Sequence, residues 1–128
     1  MKYLLSLLLF FQFVNAQNVQ RIEPPNWWVG MEHNEIQILC YGDDISTLVP
    51  KLSGIDSEEV FITKTTRTEN PNYLFIDLTI DSNAKPQSLK IDFLNGKKKI
   101  QSVSYELFQK DSNGRPGFDK TDVLYLIT

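Results

Sequence analysis

Apolar and polar side chains alternate singly along much of this chain, the period of a half-buried β-strand and not the 3.6-residue period of a helix. The clearest run is residues 73–80, where Leu74, Ile76, Leu78 and Ile80 interleave with Tyr73, Phe75, Asp77 and Thr79. Ile36, Ile38 and Cys40 share one face of another strand and Leu39 and Tyr41 the other, with a stop expected at Gly42-Asp43-Asp44. Leu89, Ile91 and Phe93 interleave with Lys90 and Asp92, and Val103, Tyr105 and Leu107 with Ser102, Ser104 and Glu106. Between these two strands, Asn95-Gly96 predicts a type I′ hairpin turn, in which both central residues need positive φ. Shorter strands are expected over 19–22, 27–31 and the threonine-rich 60–66. A weaker one over 45–52 is interrupted by Pro50, whose missing N–H suits a sheet edge. Pro24-Pro25 and the turn over 82–86 separate neighbours. About seven strands with turns between them and no sustained helical period predict an all-β protein, a two-sheet β-sandwich.

The two ends break the pattern. Residues 1–16 combine a cation at Lys2, an apolar run over 3–13 and Val14-Asn15-Ala16 ahead of Gln17, the three parts of a secretory signal peptide. Export to the periplasm or the exterior is therefore expected. The run is shorter than the ~20 residues that span a bilayer, so no membrane association is expected after cleavage. Gln17 is not a cysteine, and a lipid anchor at the new terminus is not indicated. At the other end, residues 111–117 (Asp-Ser-Asn-Gly-Arg-Pro-Gly) have linker composition. Val123-Leu124-Tyr125-Leu126-Ile127 is then apolar at every position, which suits a strand buried on both faces in a parallel sheet. The expected organisation is a signal peptide over 1–16, a β-domain over 17–110, a linker over 111–117, and the start of another domain over 118–128.

Length and charge narrow the functions. With 128 residues, 41% hydrophobic and 12% aromatic, the chain supports one core. The net charge is −3, and it becomes more acidic once Lys2 is removed. Without a basic field nucleic acid is not an expected partner. The single cysteine, Cys40, sits in a strand and reads as a small buried apolar residue. His33, the one histidine, falls in a polar turn and has no neighbouring ligand types with which to hold a metal. Asp43 and Asp44 read as turn residues capping local amides, and Glu58-Glu59 as a solvated strand start. Lys97-Lys98-Lys99 reads as a charged strand edge that blocks edge-to-edge pairing. Gly114 and Gly117 flank a proline and form no phosphate loop. No catalytic, cofactor-binding or metal-ligating residue is assigned.

Arg21-Ile22-Glu23-Pro24-Pro25-Asn26-Trp27-Trp28-Val29-Gly30-Met31 resembles the opening of the N-terminal domain of bacterial cyclomaltodextrinases and neopullulanases, of the α-amylase superfamily (glycoside hydrolase family 13). Ile38-Leu39-Cys40-Tyr41-Gly42 resembles the strand that follows in those proteins. Residues 118–128 resemble the junction where their catalytic (β/α)₈ barrel begins. The resemblance implies an immunoglobulin-like sandwich in front of that barrel. It further implies an exported α-glucan hydrolase system, with the barrel, a homodimer mate and an α-glucan oligosaccharide as candidate partners. The family's catalytic carboxylates and calcium site belong to the barrel, so none is carried over, and this stretch by itself is not expected to hydrolyse anything.

Trp27, Trp28 and Tyr41 are the candidate contact residues. Neighbours in an extended segment point to opposite faces, so one indole can enter the core while the other is presented outward. An outward ring can stack on a pyranose face or dock on another domain; the plainer reading is that both pack. The main expectation is a non-catalytic accessory domain. The alternatives are a free-standing starch- or maltodextrin-binding module, whose platform would be Tyr73 with Phe75 or Trp28 with Tyr41, and an immunoglobulin-like interaction module unrelated to sugar.

Overall fold

The computed structural model describes residues 16–54 and 58–111. The expected signal peptide up to residue 15, most of the linker and the apolar run over 123–127 lie outside the described residues.

Among the described residues eight strands are present: β1 (Asn18–Glu23), β2 (Asn26–Val29), β3 (Glu35–Asp43), β4 (Val49–Ser53), β5 (Val60–Arg67), β6 (Tyr73–Ile80), β7 (Gln87–Asn95) and β8 (Lys98–Gln109). They form two four-stranded sheets, ordered β1-β3-β6-β5 and β2-β8-β7-β4. The protein is an all-β, immunoglobulin-like sandwich. Every pairing is antiparallel except β2 with β8, which is parallel. Pro24 and Pro25 stand where the chain crosses from the first sheet to the second. Neither can donate to a ladder, so the strand that starts as β1 releases its partner and resumes as β2 across the core.

The core lies where the two inner faces meet, as single alternation dictates. Ile36, Ile38 and Cys40 from β3 and Leu74, Ile76, Leu78 and Ile80 from β6 face Leu89, Ile91 and Phe93 from β7 and Tyr105 and Leu107 from β8. Pro50 is confirmed at an edge, since β4 is the outermost strand of its sheet, and its ring points inward opposite Phe93.

Several boundaries differ from the pattern-based expectation. The segment over 45–52 is not one strand. Residues 45–48 form a turn closed by the Leu48 N–H donating to the Ile45 carbonyl at 3.0 Å, and β4 begins only at Val49. Ile45 and Leu48 are fully buried there, so their apolarity serves the core from a loop. The stop expected at Gly42-Asp43-Asp44 is met, since β3 ends at Asp43. Asp43 and Asp44 do not cap local amides. Instead the Asn72 side chain accepts from the Asp44 N–H at 3.0 Å, and the Asp43 carboxylate accepts from Gln20 Nε2 at 3.1 Å. The β7–β8 loop is Gly96-Lys97, because Asn95 pairs with Lys98. Positive φ occurs at Gly96 (60°) and not at Lys97, the pattern of a type II′ turn. Strand twist is matched by either primed turn, and the register fixed by the paired strands selects this one.

Candidate functional site

On the outer face of the second sheet, parallel pairing sets Trp28 directly beside Phe108. They are 39% and 45% exposed, two of the four large apolar side chains left most open among the described residues. The other two, Val49 and Phe61, have Leu94 and Thr79 as register partners and form no comparable pair. Trp27 turns the other way and packs against the core, so the expected division between the two indoles holds. Their rings still touch, with centroids 5.6 Å apart at 59°. Phe108 was not singled out from the sequence. The signal was there: it continues the outward phase Ser102, Ser104, Glu106, where an apolar residue is out of place.

The outer face of the first sheet carries a second, different surface. Tyr41 and Tyr73 are register partners with ring centroids 5.2 Å apart, tilted 52°. The Arg21 guanidinium lies 5.5 Å from the Tyr41 centroid, a cation–π contact. The next pair along is Leu39 with Phe75, and beyond it the Gln37 amide donates to Asp77 at 2.8 Å. Tyr73 and Phe75 therefore share one face with Tyr41. Trp28 and Tyr41 do not: they stand on different sheets, so the platform expected from that pair does not exist. Alternation says which residues of a strand share a face but not which sheet the strand joins.

The remaining candidates resolve into structure. Cys40 is fully buried, and burial pushes its thiol up to about 12, which keeps it protonated and unreactive. The buried Tyr105 phenol is likewise pushed up, first by burial and then by the neighbouring Cys40. His33 is exposed in the turn between β2 and β3. Glu59 does more than end a solvated turn: its carboxylate accepts from Gln87 Nε2 at 2.7 Å and from the Lys85 N–H at 3.2 Å, tying β5 to the β6–β7 connection. Lys97, Lys98 and Lys99 are all exposed around the hairpin. The Lys99 ammonium is 4.0 Å from Asp92, whose carboxyl is held below its ordinary range by the Ser102 hydroxyl first and by nearby lysines. Among the described residues no group of three or more His, Cys, Asp or Glu side chains converges on a common point.

The surfaces are thus aromatic and the described residues gather no metal cluster. A family model described as "Cyclomaltodextrinase, N-terminal" matches residues 21–111, most of the chain and nearly all of the sandwich. The chain belongs to the cyclomaltodextrinase N-terminal domain family. That membership makes it an accessory domain of an α-glucan hydrolase, and a cyclomaltodextrinase N-terminal domain has the rest of its enzyme as its natural partner. The match begins at Arg21 and takes in Trp27, Trp28 and Tyr41, the stretch that carried the resemblance. It ends at Asp111, where β8 has finished.

Proposed function

We propose that this cyclomaltodextrinase N-terminal domain is the non-catalytic front module of an exported α-glucan hydrolase, and that it holds its parent's catalytic barrel through Trp28 and Phe108. One observation carries the reading. The exposed pair sits at the end of β8, where the chain leaves the sandwich toward residues 112–128. A domain joined there by a short linker meets this face first. With roughly 200 Å² per aromatic residue and about two-fifths still accessible, covering either ring recovers about 2 kcal/mol. The role is positional: it seats the barrel, supports a homodimer and walls one side of the substrate cleft. The parent reaction is hydrolysis of α-1,4 bonds in cyclodextrins, pullulan or maltodextrins, with α-1,6 bonds as a further option. Export is supported by the tripartite pattern of residues 1–16 and places the enzyme in the periplasm or outside the cell.

The test uses the whole parent enzyme carrying Trp28→Ser with Phe108→Ser. Calorimetry should show a single transition for domain and barrel in the unsubstituted enzyme and two separate transitions in the variant. A single unchanged transition counts against docking at this face.

The Tyr41–Tyr73 pair favours a second reading, in which the outer face of the first sheet contacts an α-glucan chain. The 52° tilt means the rings do not form one flat plane, so one pyranose face stacks per ring. Titration calorimetry with maltoheptaose and β-cyclodextrin should give heat that Tyr73→Ala abolishes. Absence of heat in the parent protein rejects this reading.

A further inference from the structure

Gln17 follows directly on Val14-Asn15-Ala16, and its side chain is fully engaged in the fold. Its Nε2 donates to the Asp44 carbonyl at 2.9 Å and to Thr47 Oγ1 at 3.0 Å, while its Oε1 accepts from Asn95 Nδ2 at 3.2 Å. These partners are 27, 30 and 78 residues away along the chain. Asp44 and Thr47 lie in the β3–β4 connection and Asn95 ends β7, so one amide laces together one end of both sheets. Asp44 is itself fixed in a left-handed conformation (φ 53°), with its N–H held by Asn72.

We propose that Gln17 is the first residue of the mature protein and that the fold keeps it from cyclising, so that pyroglutamate formation at this terminus is gated by folding. The inference rests on the export reading, with cleavage after Ala16. The chemistry needs no co-reactant. The free α-amino nitrogen attacks Cδ, a nitrogen–Cδ bond closes the lactam, the Cδ–Nε2 bond breaks, and ammonia leaves with the proton shed by the amine. For this the side chain must curl back onto its own nitrogen. In the folded protein its amide is instead held by Asp44, Thr47 and Asn95. The product also cannot keep the lacing: the lactam retains the carbonyl oxygen but has lost Nε2, so both donated bonds disappear. The laced end and the cyclised terminus exclude one another. A chain that folds promptly after export keeps an open glutamine, and one that lingers unfolded closes and loses the tie.

The experiment takes the full chain through a secretory pathway and follows the N-terminal peptide by mass spectrometry over days. The buffer is mildly alkaline, where the α-amine is deprotonated. Folded protein and protein held in urea are compared. The expected N-terminus is Gln17, with ammonia loss about tenfold slower in the folded sample, the factor that about 1.4 kcal/mol of restraint gives. Thr47→Ala with Asn95→Ala should move the folded rate toward the urea rate and leave the urea rate unchanged. An N-terminus elsewhere overturns the cleavage reading and this inference with it. Gln17 at the terminus with equal rates folded and unfolded, or a folded rate indifferent to the paired substitution, overturns this inference alone.

Discussion

Gly42 is the position where one methyl group should do the most damage, although its backbone is ordinary. It lies inside β3 opposite Val19, next to the bulge in β1. A Cβ there would overlap the Asn18 carbonyl oxygen and sit 2.9 Å from the Asn18 carbonyl carbon and from Val19 Cα. All of these are backbone atoms, so no side chain can swing aside, and Gly42→Ala must push the first half of β1 off the sheet. Val19 then leaves the core, where it is 6% exposed, at a cost of about 1.5 kcal/mol. Its N–H and C=O also lose the Gln101 amide, and the ladder bonds around Asn18 go, at about 1 kcal/mol for each bond lost. Residues 21–23 can stay paired, which limits the total to about 3–4 kcal/mol. In a domain of this size that lowers Tm by about 12–25 °C. Urea unfolding followed by the fluorescence of Trp27 and Trp28 measures it, with thermal circular dichroism as the second probe. Gly30→Ala is the contrast: it meets nothing within 4 Å but has φ +73°, so it should cost only about 1–2 kcal/mol of backbone strain. A Gly42→Ala loss below about 1 kcal/mol, or one no larger than that of Gly30→Ala, would refute the steric reasoning.

Three further outcomes are expected. Gln101→Ala should destabilise by about 1–3 kcal/mol in urea titration, because the Gln101 amide both accepts from the Val19 N–H and donates to its C=O; an unchanged midpoint would mean that water serves as well. Tyr105→Phe should hold or raise stability by about 1 kcal/mol, since the buried hydroxyl has no hydrogen-bond partner among the described residues; a clear loss would reveal a partner, such as a bound water. Stability should fall as pH rises from 9 toward about 12, because the unfolded chain releases the Cys40 proton in that window while the folded chain keeps it. The slope from this group is at most about 1.4 kcal/mol per pH unit, with Tyr105 adding in the same direction at the upper end. Urea midpoints across this range should flatten partly in Cys40→Ala, and an identical slope in that variant removes Cys40 as the cause.

The sequence by itself determined the strands and their faces. Alternation is a local property, so Leu74, Ile76, Leu78 and Ile80 were assigned to the core, and Trp27 was separated from Trp28, without knowledge of any partner. The family was legible for the same reason, since the stretch from Arg21 to Met31 is contiguous. What only the tertiary structure decided is everything that depends on sheet membership and register. Tyr41 and Trp28 read alike as outward aromatics, yet the prolines between β1 and β2 carry Trp28 to the other sheet. Phe108 could be read from alternation as an outward apolar residue, but only parallel pairing set it beside Trp28. Ile45 and Leu48 looked like strand residues, because burial in a turn and burial in a strand leave the same apolar trace. Gln17 and Gln101 look like any polar residues until contacts 78 and 82 residues away in sequence give their amides work. A two-residue period records which way a side chain points; what it meets there is set by which strands pair, and that is decided by the packing of the whole domain.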